Sequence, residues 1–156
     1  MLSSPNLDLH LAIAHHLLAF ALLGVIVSEL TLVHAPPSAA TVQRVGRIDL
    51  WYGVLAGLLI GVGFMRAVFA AKGWAYYSTN YFFWAKMVAF AIVGLLSVYP
   101  TIRFIAWRQA AKADPTALPG AAEIARVRKI IWAELAVFAL IPCFAAAMAR
   151  GYGMMG

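Results

Sequence analysis

Residues 11–33 read LAIAHHLLAFALLGVIVSELTLV, twenty-three positions in which only His15, His16 and Glu29 are ionisable. An α-helix needs roughly 20 apolar residues to cross a hydrocarbon layer about 30 Å thick. The stretch is too long and too uniformly apolar for a strand. An open sheet edge would also leave backbone groups unsatisfied in lipid. The segment therefore reads as a membrane-spanning helix, ended by Ala35-Pro36-Pro37.

Outward from it, three further segments read the same way: about Ile48 to Phe69, Tyr81 to Trp107 and Val127 to Ala149. Lys72-Gly73 marks the exit of the second and Gly151-Tyr152-Gly153 that of the fourth. Asp114-Pro115 and Pro119-Gly120 make the third connection a polar loop. Pro100 and Pro142 fall inside helices and are expected to bend them. The expected fold is all-α, one integral-membrane four-helix bundle over residues 1–156.

Composition agrees. The chain is 64% hydrophobic and 12% charged, against roughly 45–50% and about 25% in soluble domains. A soluble body of this size cannot hide so much apolar surface. The lone Cys143 cannot form an internal disulfide. The net charge of +6 comes from cations dispersed around apolar runs, which is a membrane-orientation pattern and not a nucleic-acid stripe. No basic residue precedes His10, so no cleavable signal is expected.

Eight cations flank the first and third loops: Arg44, Arg47, Arg103, Arg108, Lys112, Arg126, Arg128 and Lys129. Four lie on the opposite side: Arg66, Lys72, Lys86 and Arg150. The positive-inside rule then puts both termini in the periplasm of a bacterial inner membrane.

Ionisable groups inside a span cost roughly 2.5–3.5 kcal/mol each on insertion scales, so they face the bundle interior and find partners. Here they form two layers. Glu29, Asp49, Arg103 and Glu134 make an inner layer of mixed sign, expected to be a structural ion-paired clamp. His15, His16, Arg66 and Lys86 make an outer layer with no carboxylate expected at the same depth. Snorkelling to lipid headgroups would neutralise such cations. A haem answers both needs, offering iron to a histidine and two propionates to the cations. At 100° per residue His15 falls about 40° from Glu29 around the helix, and His16 about 140°, so His15 is the inward candidate. No second helix offers a histidine for bis-histidine ligation.

Gly53, Gly57 and Gly61 form a small-residue spine, expected either to pack a neighbouring helix or to make room for a flat macrocycle. Met65, Met87, Met148, Met154 and Met155 lie toward the outer half or tail. Beside histidines they admit copper as an alternative metal. A cofactor-free accessory subunit is a third reading, and a homo-oligomer or larger membrane complex is compatible with all three.

His15-His16-Leu17-Leu18-Ala19-Phe20, Arg47-Ile48-Asp49-Leu50-Trp51-Tyr52-Gly53, Phe82-Phe83-Trp84-Ala85-Lys86-Met87 and Ser97-Val98-Tyr99-Pro100-Thr101 resemble a bacterial four-helix membrane family catalogued as a domain of unknown function. More remotely, the layout is similar to the membrane protoporphyrinogen oxidase family (the HemJ type). That resemblance implies b-type haem at His15 or His16, a matching role for Lys86, and a haem-dependent membrane oxidoreductase. The chain departs from that family in having Tyr99-Pro100 late in the third helix in place of histidines, and Glu29 in place of a basic residue.

Overall fold

The computed structural model describes residues 5–69 and 73–154. Lys72 and Met155 lie outside the described residues. Five helices follow in order: α1 (Pro5–His34), α2 (Ala39–Phe69), the short α3 (Gly73–Ser78), α4 (Tyr81–Ala113) and α5 (Ala121–Ala149). Among the described residues α1, α2, α4 and α5 are long and apolar enough to cross a membrane. The protein is an all-α membrane bundle.

Each long helix outruns its apolar segment. α2 begins nine residues before Ile48, and α5 begins six before Val127. The apolar run marks only the part in hydrocarbon, whereas backbone hydrogen bonding carries a helix on until a residue stops it. Pro36-Pro37 closes the first connection. Asn80 caps α4, its side chain accepting from the amides of Phe82 (2.9 Å) and Phe83 (3.3 Å).

Packing is cyclic. α1 lies against α2 and α5, and α4 lies against α2 and α5, while the diagonal pairs do not meet. Neighbours in sequence are thus neighbours in space, as short loops require. Among the described residues of α1 the buried ones are Leu22, Ile26, Glu29, Leu30 and Val33, about one turn apart, and none precedes Leu22. The apolar ones belong to one core cluster with Val42 and Val45 of α2, Phe104 and Trp107 of α4, and Val127 and Ile131 of α5. Lipid tails are as apolar as leucine, so close packing, and not water exclusion, holds these faces together. The bundle is tight toward its α1–α2 and α4–α5 loops. It opens toward the termini.

At that open end the C-terminal tail is tied down. Tyr81 N–H donates to Gly153 O (2.7 Å), and Asn80 Nδ2 donates to Tyr152 O (3.0 Å). Gly151 and Gly153 take φ of 82° and 81°, where a side chain is strained.

The glycine spine does not pack inside the bundle. A Cβ at Gly53, Gly57 or Gly61 would meet nothing within 4 Å. α2 buries Val45, Asp49, Tyr52 and Leu59 instead, which turns the glycines outward.

Candidate functional site

The open end encloses a cavity of about 730 Å³ lined by His15, His16, Arg66 and Lys86, so the four residues of the outer layer converge on one space. Its walls are largely apolar, with Phe20 and Leu23 from α1 and Leu135, Phe138 and Ile141 from α5. The room comes from small residues of α5, where Ala139, Ala145, Ala146 and Ala149 line the cavity. The glycines of α2 do not make it.

His15 is half-buried and His16 exposed, with their rings perpendicular and 6.4 Å apart. The His16 ring hydrogen-bonds Ala12 O through Nδ1 at 2.6 Å, which leaves Nε2 as its outward nitrogen. His15 Nδ1 is buried and has no hydrogen-bond partner. The His15 ring is lodged against Gly63 of α2. Arg66 and Lys86 lie close enough to act on it electrostatically. Arg66 Nε is buried without a partner, and Lys86 Nζ sits 5.3 Å from the centroid of the Phe83 ring.

Three residues of the cavity escaped the sequence reading. Tyr76 and Tyr77 come from α3, too short to register as an apolar segment. Tyr76 donates to Met148 O at 3.0 Å, linking α3 to the end of α5. Asp8 also lines the cavity, with one buried oxygen unpartnered. This corrects the expectation that no carboxylate shares the outer layer. The signal was present, because seven residues separate Asp8 from His15, which places both on one helix face. α1 starts earlier than its apolar run and brings Asp8 in. Among the described residues no carboxylate lies within ion-pair distance of Arg66 or Lys86.

The inner layer also differs from expectation. Arg103 pairs with Glu123 at the start of α5, not with Glu29, Asp49 or Glu134. The Arg103 side chain is 37% exposed, so its long stem carries the guanidinium toward the surface. The three acids remain in the core at 2%, 9% and 1% exposure. They come from three helices and lie near enough to couple electrostatically. Thr101 donates to Asp49 Oδ1 at 2.6 Å, and the Tyr52 hydroxyl lies near Glu134 and Ser97. Glu29 and Glu134 each keep a buried Oε1 without a partner. The layer is an acid and hydroxyl cluster, not an ion-paired clamp.

Among the described residues no group of three or more His, Cys, Asp or Glu is arranged to hold a metal ion on its own. Met148 lines the cavity, whereas Met65, Met87 and Met154 are exposed. The arrangement offers one or two imidazoles, two cations and an apolar slot. Largely apolar walls with a few placed polar groups are the usual make-up of a small-molecule site.

No curated protein matches the chain, and no solved structure does. Over residues 7–153 the chain matches the family model described as "Predicted membrane protein (DUF2214)", and the protein belongs to that membrane-protein family of unknown function.

Proposed function

We propose that the protein binds haem b in the cavity between α1, α2, α4 and α5 and takes part in redox or tetrapyrrole chemistry. One observation carries this reading: His15, His16, Arg66 and Lys86 line the same largely apolar cavity of about 730 Å³. Pockets for cofactors of this kind span roughly 300–1,000 Å³ and combine apolar walls with a few placed polar groups. His15 is the residue assigned to the iron, since its ring is half-buried and its Nδ1 has no partner in the protein. Arg66 and Lys86 would neutralise propionates, which repays the cost of keeping both cations in a span. Phe20, Leu135, Phe138 and Ile141 would cover the macrocycle and exclude water. When bound, haem iron supplies electron transfer or oxidant activation, tuned by its axial ligand and burial. The cation asymmetry supports a bacterial inner-membrane location with both termini periplasmic.

Copper is the second reading, favoured by Met148, which lines the same cavity as the two imidazoles. A visible spectrum of the purified protein, with metal analysis, tests both. Haem gives a Soret band that His15→Ala abolishes while the protein still inserts. Copper without haem replaces the first reading with the second. Neither group, in protein produced with haem and copper supplied, refutes both and leaves a cofactor-free subunit.

A further inference from the structure

A second cavity, of about 580 Å³, opens on the outer surface between α1 and α2, near the loop that joins them. Ser28 and Thr31 of α1 line one side, and Arg44, Arg47 and Trp51 of α2 line the other. The α2 residues recur at three and four positions, so they form one stripe on the helix. All three are exposed.

Their depth matters. The apolar run of α2 starts at Ile48 and marks its part in hydrocarbon, so Arg47 lies at the boundary, with Arg44 about one turn above it and Trp51 about one turn below. Trp at that level is an interface anchor. Below Trp51, the exposed Val54 and Leu58 continue as an apolar track.

The charges here are uncompensated. The ion pair found among the described residues is Arg103–Glu123, so neither Arg44 nor Arg47 has a carboxylate within ion-pair distance. Arg108 of α4 is occupied differently, donating from Nε to Gln43 Oε1 of α2 at 3.3 Å. Ser28 and Thr31 spend their hydroxyl hydrogens on the carbonyls of Gly24 (2.7 Å) and Val27 (2.8 Å). Their oxygens keep acceptor capacity on one wall of the groove. The groove thus offers two guanidiniums for a phosphate, acceptors for a headgroup hydroxyl, an interface indole and an apolar track for acyl chains.

We infer that this groove is a binding site for an anionic phospholipid with a hydroxyl-bearing headgroup. Arg44 and Arg47 hold the phosphate, as guanidinium groups do. Ser28 and Thr31 accept from the headgroup hydroxyl. The lipid neutralises a pair of cations at the hydrocarbon boundary and covers the seam between α1 and α2 on the loop side. The inference is independent of the haem reading, since the two cavities share no residue.

The test titrates the full-length protein, in neutral detergent, separately with phosphatidylglycerol, phosphatidylcholine and inorganic phosphate. Bound lipid is read by native mass spectrometry, with thermal unfolding in parallel. Phosphatidylglycerol should be retained at least ten-fold over phosphatidylcholine, and inorganic phosphate should leave the unfolding temperature unchanged. The preference should vanish in Arg44→Gln/Arg47→Gln and persist in Arg126→Gln/Lys129→Gln, which removes equal charge from the same membrane side. The single variants Arg44→Gln and Arg47→Gln should each weaken it, so the result does not depend on recovering the double variant. Equal retention of the two lipids overturns the proposal, as does a preference that survives in Arg44→Gln/Arg47→Gln. A preference lost equally in the Arg126/Lys129 variant reduces it to general surface charge, and a response to phosphate matching that to lipid replaces it with a soluble-anion site.

Discussion

The His15 ring is lodged against Gly63: a Cβ at position 63 would lie 3.1 Å from Cε1 and 3.5 Å from Nδ1. Gly63 thus sets how far the imidazole can lean toward α2. Gly63→Ala should leave the protein inserted and folded, because alanine is the better helix former by about 1 kcal/mol and the ring can yield by a few tenths of an ångström. The Soret position or axial-ligand spectrum should change. Gly53→Ala and Gly57→Ala, facing open space, should leave it alone. A spectrum unchanged in Gly63→Ala and lost in His16→Ala would move the ligand to His16.

Lys86 and Asp8 line one cavity with opposite signs and should act in opposite directions on an anionic cofactor. Lys86→Met removes a countercharge and should lower haem retention, with arginine substituting better than methionine. Asp8→Asn removes a like charge and should raise retention. Haem content against haem added, measured for both variants, checks the pair. Identical curves would leave Lys86 and Asp8 with no part in holding the cofactor.

The Arg103–Glu123 pair is partly solvated, so a double-mutant cycle on thermal unfolding should return a coupling of about 0.2–1 kcal/mol. Cycles of Arg103 with Glu29, Asp49 and Glu134 should return values within about 0.3–0.5 kcal/mol of zero, as for sites without a shared partner. Larger coupling to any of the three would restore the clamp expected from sequence.

Gly153 combines a positive φ with a Cβ position 2.5 Å from Phe82 Cδ2. Gly153→Ala should cost about 1–3 kcal/mol from backbone strain alone and loosen the tail from α4. Gly120→Ala, at φ −69° with open space around it, carries no backbone strain and should cost only what a poorer N-cap of α5 does, under about 1 kcal/mol. Thermal unfolding of the two variants side by side decides it.

In the α4–α5 loop, Thr116 donates to Asp114 Oδ1 from its hydroxyl (2.7 Å) and its amide (2.9 Å). These bonds hold the Asp114 carboxyl below its ordinary value of 3.8. The carboxylate therefore favours the ordered loop above about that pH, and the preference is lost as pH falls through the lowered value. The Thr116 amide resonance should move over that acid range in the native protein and be pH-independent there in Asp114→Asn. Because Asp114 is fully exposed, the melting temperature should not follow.

The amino-acid sequence by itself determined the solvent, the four spanning helices and four residues of the outer layer. Twenty-odd apolar residues between stop signals cross lipid as a helix whatever their neighbours do, because the backbone has no other way to satisfy itself there. His15, His16, Arg66 and Lys86 could be grouped because depth along a spanning helix is simply counted in residues. Counting depth does not say which way a side chain reaches across the bundle, and that only the tertiary structure decided. Arg103 shares its segment with the core, yet its flexible stem reaches the surface and pairs with Glu123, leaving Glu29, Asp49 and Glu134 to one another and to hydroxyls. The glycines of α2 carry a helix-packing spacing but face away from the bundle, since Tyr52, Asp49 and Leu59 fix the buried face. The cavity exists because α1 buries none of its described residues before Leu22 while α5 presents alanines opposite, a relation between cavity-lining residues more than 100 positions apart that no local pattern encodes.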